Sequence, residues 1–141
     1  MQLISPAFKN HEELPVEFTC DGAGLHPPLE FSDAPSETQS LVLIMEDPDA
    51  PNGTFDHWIV FNLPAQTKNL TNSPGLSGRN SAGRTGYVGA CPPSGQHRYI
   101  FHLYALDIIL DLKAGASRQE IEQVMSGHVL DQAELQSSYR R

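Results

Sequence analysis

The sequence predicts a mainly β protein, and three observations carry that prediction. Eleven prolines and eleven glycines in 141 residues interrupt the chain too often for a helix bundle and suit short strands joined by turns. The strongest apolar runs, Leu41 to Met45 and Tyr99 to Leu106, have strand length and are rich in branched or aromatic side chains. One clear helical stretch, beginning at Ser117, completes the pattern.

In chain order, apolar positions between Phe8 and Phe18 are broken by Pro15 and run into the turn-rich segment Thr19 to Gly24. Pro27-Pro28 holds the chain extended and feeds a short strand at Leu29-Glu30-Phe31. Leu41 to Met45 is apolar at every position, which predicts a central strand buried on both faces. Asp47-Pro48-Asp49-Ala50-Pro51-Asn52-Gly53 follows. Its prolines push Asp47 and Ala50 extended, and Asn52-Gly53 turns the chain back. By the period of two, His57, Ile59, Phe61 and Leu63 share one face of the next strand, with Trp58, Val60 and Asn62 on the other. Pro64 to Gly95 is rich in Gly, Ser, Asn, Thr and Pro, with Tyr87-Val88 read as a short strand inside a functional loop region. Ser117-Arg118-Gln119-Glu120 is a capping box that opens a helix with Ile121, Val124 and Met125 on one face and Gly127 at its end. Ala133, Leu135, Ser137 and Tyr139 then alternate with polar residues, as in a half-buried terminal strand. With no repeat or linker, residues 1–141 are expected to form a single domain.

Charge narrows the function classes. Nine basic against seventeen acidic residues give a net charge of −8, which argues against nucleic-acid binding and attachment to an anionic membrane. No apolar run approaches the roughly 20 residues of a membrane span, and the first residues do not read as a leader, so a cytoplasmic protein is expected. In that compartment Cys20 and Cys91 are expected as separate thiols rather than a bridge.

The ionisable groups in constrained surroundings are Asp47, Asp49, His57 and the pair His97-Arg98, each at a Pro- or Gly-rich strand end. All of them can meet at one rim. Arg98 is equally suited to pairing with Asp47 or Asp49 as a tie between loops. His97 and His102 lie five residues apart on one strand and point to opposite faces, which leaves His102 outside the site. A metal site is disfavoured because no His-x-His or His-x-x-x-His pair fixes two ligands on one element. A hydrolase is disfavoured because Gly75-Leu76-Ser77-Gly78-Arg79 has an arginine where a nucleophile elbow needs glycine. An anion pocket remains, with imidazole donors and loop amides between Gly89 and Gly95. Asp47 fits such a pocket if it orients and charges a histidine, is itself protonated, or meets a cationic part of the same ligand.

Asp47-Pro48-Asp49-Ala50-Pro51, His57-Trp58-Ile59-Val60-Phe61-Asn62 and Pro92-Pro93-Ser94-Gly95-Gln96-His97-Arg98-Tyr99 together resemble the two signature blocks of the phosphatidylethanolamine-binding protein family. Cys20-Asp21-Gly22, Pro27-Pro28-Leu29 and Gly127-His128-Val129-Leu130 resemble its bacterial and archaeal, Raf-kinase-inhibitor-like branch. The resemblance implies a Greek-key-like β-sandwich with one or two short helices and a small anion pocket near one end. It matches Asp47, His57 and His97 to the pocket side chains and Tyr99 and Pro51 to its walls. It also matches Gly89, Ala90 and Cys91 to the stretch offering amides, and it implies a cis bond before a proline of the Asp-x-Pro region. The implied function is non-enzymatic binding of a small anionic or zwitterionic phosphoester, without cofactor or metal, with Asp49 and Arg98 in support. A protein-interaction module that regulates a kinase or protease through the same rim is the alternative reading.

Overall fold

The computed structural model describes residues 1–72 and 74–141. Its strands are β1 (Gln2–Ile4), β2 (Glu12–Glu13), β3 (Glu30–Ser32), β4 (Ser40–Asp47), β5 (Phe55–Pro64), β6 (Leu76–Ser77), β7 (Gln96–Leu106) and β8 (Val129–Arg140). A 3-10 turn covers Val16–Phe18, and the helix α1 spans Arg118–Met125. A six-stranded sheet runs in the order β2-β8-β7-β4-β5-β6, and β1 and β3 form a separate pair. Strands β4, β5 and β6 follow one another antiparallel, and the chain then returns so that β7 lies beside β4, a Greek-key connection.

Two apolar layers flank the large sheet. On one face Leu43, Met45, Trp58, Tyr99, Phe101 and Leu135 pack against residues of the small sheet, including Leu3 and Phe31. On the other, Val42, Ile44, Ile59 and Phe61 pack under Ile121 and Met125 of α1. Strand β4 is therefore apolar on both sides because both sides are covered, as its unbroken run predicts. The capping box forms as expected: Glu120 N donates to Ser117 Oγ, and Ser117 N donates to the Glu120 carboxylate. Gly127, at φ +81°, ends the helix in a conformation that favours glycine.

Several expectations are corrected. Leu63 does not share a face with Phe61 but joins Trp58 and Val60 in the opposite layer. The cause is an extra residue in β5: Leu43 pairs with Val60, whereas Leu41 pairs with Leu63. Asn62 takes φ +52° at this bulge and is clamped by reciprocal 2.8 Å hydrogen bonds between its side-chain amide and the Leu110 backbone. Tyr87 and Val88 form no strand, although the Val88 amide donates to the His57 carbonyl at 2.9 Å. No peptide bond among the described residues is cis, so the expected cis-proline is absent. Cys20 and Cys91, expected as separate thiols, are joined in a disulfide. A sequence separation of 71 residues hides this contact from any local reading.

Candidate functional site

Asp47 is the last residue of β4, delivered to the end of the sheet by the central strand and held extended by Pro48. Its carboxylate is buried and both oxygens are used. Oδ1 accepts the Asp49 amide at 2.8 Å, and Oδ2 accepts the His97 Nδ1 proton at 2.7 Å. The acid and imidazole come from positions 50 residues apart, brought together because β7 pairs directly with β4.

His57 reaches this cluster through a second bulge. Met45 pairs with Trp58 and Glu46 with Asp56, so His57 is the supernumerary residue between them. Simple alternation from Ile59 places it on the helix face; the bulge turns it to the opposite one. There its ring meets Tyr99 edge-on at 5.3 Å and Phe55 at 4.7 Å. Its Nδ1–H donates to the Val88 carbonyl at 2.7 Å, which fixes the tautomer. Burial holds its pKa below the usual histidine value, against smaller upward contributions from the Val88 carbonyl and Asp47. His57 is therefore a neutral ring at pH 7 whose remaining nitrogen, Nε2, accepts rather than donates. His97 likewise commits Nδ1 to the protein and has Nε2 left for a ligand.

Tyr99 completes the cluster. Its side chain is fully buried, and its hydroxyl makes no hydrogen bond of acceptable geometry among the described residues. The hydroxyl nevertheless lies close to Asp47 and to the Cys91 amide, and burial raises its pKa first, with the Asp47 charge adding to the effect. An unpartnered buried hydroxyl is costly in a protein interior, on the order of 1–3 kcal/mol. Here it lies beside the Asp47 carboxylate and the Cys91 amide, with the His57 ring against its own ring.

The predicted amide-bearing segment is docked beside this group. Cys20 N donates to the Ala90 carbonyl at 3.0 Å, and Ala90 is fully buried. A Cβ on Gly89 would lie 3.0 Å from the Thr19 carbonyl carbon, so any side chain there must push the packed Thr19–Cys20 backbone aside. Asp49 and Arg98 form the loop tie foreseen as one option. Arg98 Nη2 and Nε reach the two Asp49 oxygens at 2.9 and 3.0 Å, and the Arg98 amide adds a third contact at 2.9 Å. The guanidinium holds the Asp49 carboxyl down at about 2. Pro51 is exposed in the β4–β5 turn, and no hydrogen bond or ring contact among the described residues draws it into the cluster.

Sequence reasoning missed Phe55, whose ring covers His57, and Val88, whose carbonyl sets its tautomer. It also missed Asp21 and Arg141, which flank the disulfide. Only Phe55 carried a signal, being two residues before His57 in the same strand. The cluster itself is recessed: Asp47, His57 and His97 are 4%, 5% and 8% exposed. Broad clefts of about 640 and 620 Å³ lie elsewhere, along β1 and beside β3, and include none of these residues. Among the described residues no three His, Cys, Asp or Glu converge as a metal site, and no helix is long and apolar enough to cross a membrane.

A Greek-key β-protein with a buried acid–imidazole cluster at one end of its central strands is the class that fold and geometry define. The model of the family described as phosphatidylethanolamine-binding protein matches residues 4–140. A "UPF0098 protein" of Methanothermobacter thermautotrophicus is 44% identical over all of this chain and 99% of its own. One from Chlamydia trachomatis is 42% identical, with the same coverage. Among solved structures, a putative phosphatidylethanolamine-binding protein homolog from Chlamydia trachomatis superposes with a TM-score of 0.96 at 42% identity, covering 99% of this chain and 97% of that one. Escherichia coli YbcL, described as a new member of the mammalian PEBP family, superposes with a TM-score of 0.91 at 28% identity, covering 99% and 98%. The chain belongs to the phosphatidylethanolamine-binding protein family.

Proposed function

We propose that this protein binds the phosphoryl group of a small phosphorylated molecule, without catalysis, at the cluster of Asp47, His57, His97 and Tyr99. The observation that carries the reading is the Tyr99 hydroxyl, buried beside the Cys91 amide and without a hydrogen-bond partner of good geometry among the described residues. A phosphoryl oxygen at that point accepts from the hydroxyl, from the amide and from His97 Nε2 when that nitrogen carries a proton. His57 Nε2, an acceptor at neutral pH, instead takes a hydrogen bond from a protonated phosphoryl oxygen. Asp47 orients His97 rather than meeting a ligand cation, because both its oxygens are already engaged. The ligand is therefore selected as a phosphoryl monoanion, and its affinity falls as pH rises through about 6, where such groups lose their second proton.

Calorimetric titration with inorganic phosphate and with phosphoethanolamine between pH 5 and 8 tests this. Saturable binding that weakens with rising pH, and that drops at least about tenfold in Tyr99→Phe, is expected; one lost charge-assisted hydrogen bond is worth about that factor. Equal binding by the wild type and Tyr99→Phe, or affinity independent of pH, removes the mechanism. Turnover of phosphoethanolamine would instead require an enzyme.

A further inference from the structure

The disulfide bridges two exposed residues, Cys20 and Cys91, whose surroundings are unlike. Arg141 is anchored beside the Cys91 loop by two main-chain hydrogen bonds with Gly95, 3.1 Å in each direction. Its guanidinium Nη1 reaches Cys91 Sγ at 3.3 Å. Nη2 lies 3.3 Å from Asp21 Oδ1, and Asp21 is itself fixed by the Tyr139 hydroxyl at 2.7 Å. The charged and titratable groups around the bond are thus Arg141 on the Cys91 side, Asp21 as chain neighbour of Cys20, Tyr139 on Asp21, and Tyr99 near the Cys91 amide. A cation touches the Cys91 sulfur directly, while the carboxylate paired with that cation belongs to the chain neighbour of Cys20.

A thiolate is stabilised by a nearby arginine, and thiol–disulfide exchange runs faster when the departing thiol has the lower pKa. We propose that this disulfide is a polarised exchange site for low-molecular-weight thiols. The incoming thiolate attacks Cys20 Sγ, a new S–S bond forms there, and the Cys20–Cys91 bond breaks. Its electron pair stays on Cys91 Sγ, which leaves as a thiolate against Arg141. The products are a mixed disulfide on Cys20 and a free thiolate on Cys91, with no net oxidation. A second thiol then displaces Cys20 as a thiol and departs as its own disulfide dimer. The segment around Cys91 keeps its non-covalent anchors, Cys20 N to Ala90 O at 3.0 Å and Val88 N to His57 O at 2.9 Å, so the bond opens without dismantling the neighbouring cluster. The proposal stands whether or not that cluster binds phosphate.

Oxidised wild-type protein treated with limiting glutathione at pH 7, quenched in acid and mapped by mass spectrometry tests the polarity. Glutathione is expected on Cys20 in about threefold to fivefold excess over Cys91, since exchange rates respond only fractionally to about one pKa unit between leaving groups, and Arg141→Gln is expected to erase most of that excess. No adduct, an adduct chiefly on Cys91, an unbiased mixture, or a bias unchanged in Arg141→Gln overturns it. In folded Cys20→Ser protein, the pH profile of alkylation by iodoacetamide gives the Cys91 midpoint independently. A midpoint about one unit below the ordinary thiol value of roughly 8.5, restored by adding Arg141→Gln, is expected; an unshifted midpoint overturns the proposal.

Discussion

The two faces of the large sheet handle buried charge in opposite ways, although the same strands supply both. Glu46 and Asp47 are neighbours in β4, and His102 and His97 both lie in β7. On the helix face every charge meets its opposite. Arg118 Nη1 contacts Glu46 at 2.8 Å and Asp56 at 2.6 Å, its Nε bonds Glu122, and His102 lies 3.5 Å from Glu46 and 3.3 Å from Glu134. His102, then Arg118, holds the Glu46 carboxyl down at about 2 despite opposition from burial. On the opposite face Asp47 and His97 pair, but His57 is kept neutral and the Tyr99 hydroxyl has no partner among the described residues. The helix-face network is held by ion pairs around Arg118, although His102 Nε2, like the Tyr99 hydroxyl, makes no hydrogen bond of good geometry among the described residues.

The largest expected effect comes from breaking the ion-paired side. Arg118→Met should destabilise by about 2–3 kcal/mol in chemical denaturation, somewhat less than the loss of a fully buried ion-pair partner, because Glu46 and Asp56 lose their shared cation. A change below about 0.5 kcal/mol would mean that this face is no more than a surface network.

Acid titration of stability separates the faces next. Glu46 has a depressed carboxyl, so its contribution is present above about 4.5 and is lost as pH falls toward about 2. His57 is also depressed, so the unfolded chain takes up its proton first. Its contribution is present above about 6.5 and is lost as pH falls below that value. Glu46→Gln should flatten only the acidic window and His57→Gln only the window below 6.5. Identical curves for the two variants would show that the faces do not titrate separately.

The smallest expected change in stability is the most telling. Tyr99→Phe removes a buried hydroxyl with no partner among the described residues, so the variant should gain about 1 kcal/mol in thermal unfolding, the low end of the penalty for an unsatisfied group. A loss of about 1 kcal/mol or more would reveal a hydrogen bond to the protein and close the gap on which the comparison rests.

Much of this could be read along the chain, because it depends on neighbours within a few residues. The apolar run of β4, the Asn52-Gly53 turn, the opposed directions of His97 and His102, and the capping box at Ser117 all follow from period and propensity. The position of His57 could not be read the same way. Its strand pattern placed it with Ile59, and only pairing against β4 shows the bulge that turns it toward Tyr99. Leu63 was misplaced for the same reason, at a second bulge held by Leu110 from 48 residues away. Bulges are decided by registry with a partner strand, which alternation within one strand cannot report.

The sequence by itself determined a β protein with an acid and two imidazoles at strand ends, since prolines, glycines and side-chain alternation act locally. Tertiary structure alone decided that Asp47 serves His97, that Arg98 is spent on Asp49, and that Cys20 and Cys91 join beneath Arg141. Those contacts span 49 to 120 positions along the chain, distances at which only the folded backbone, and no local preference, sets which groups meet.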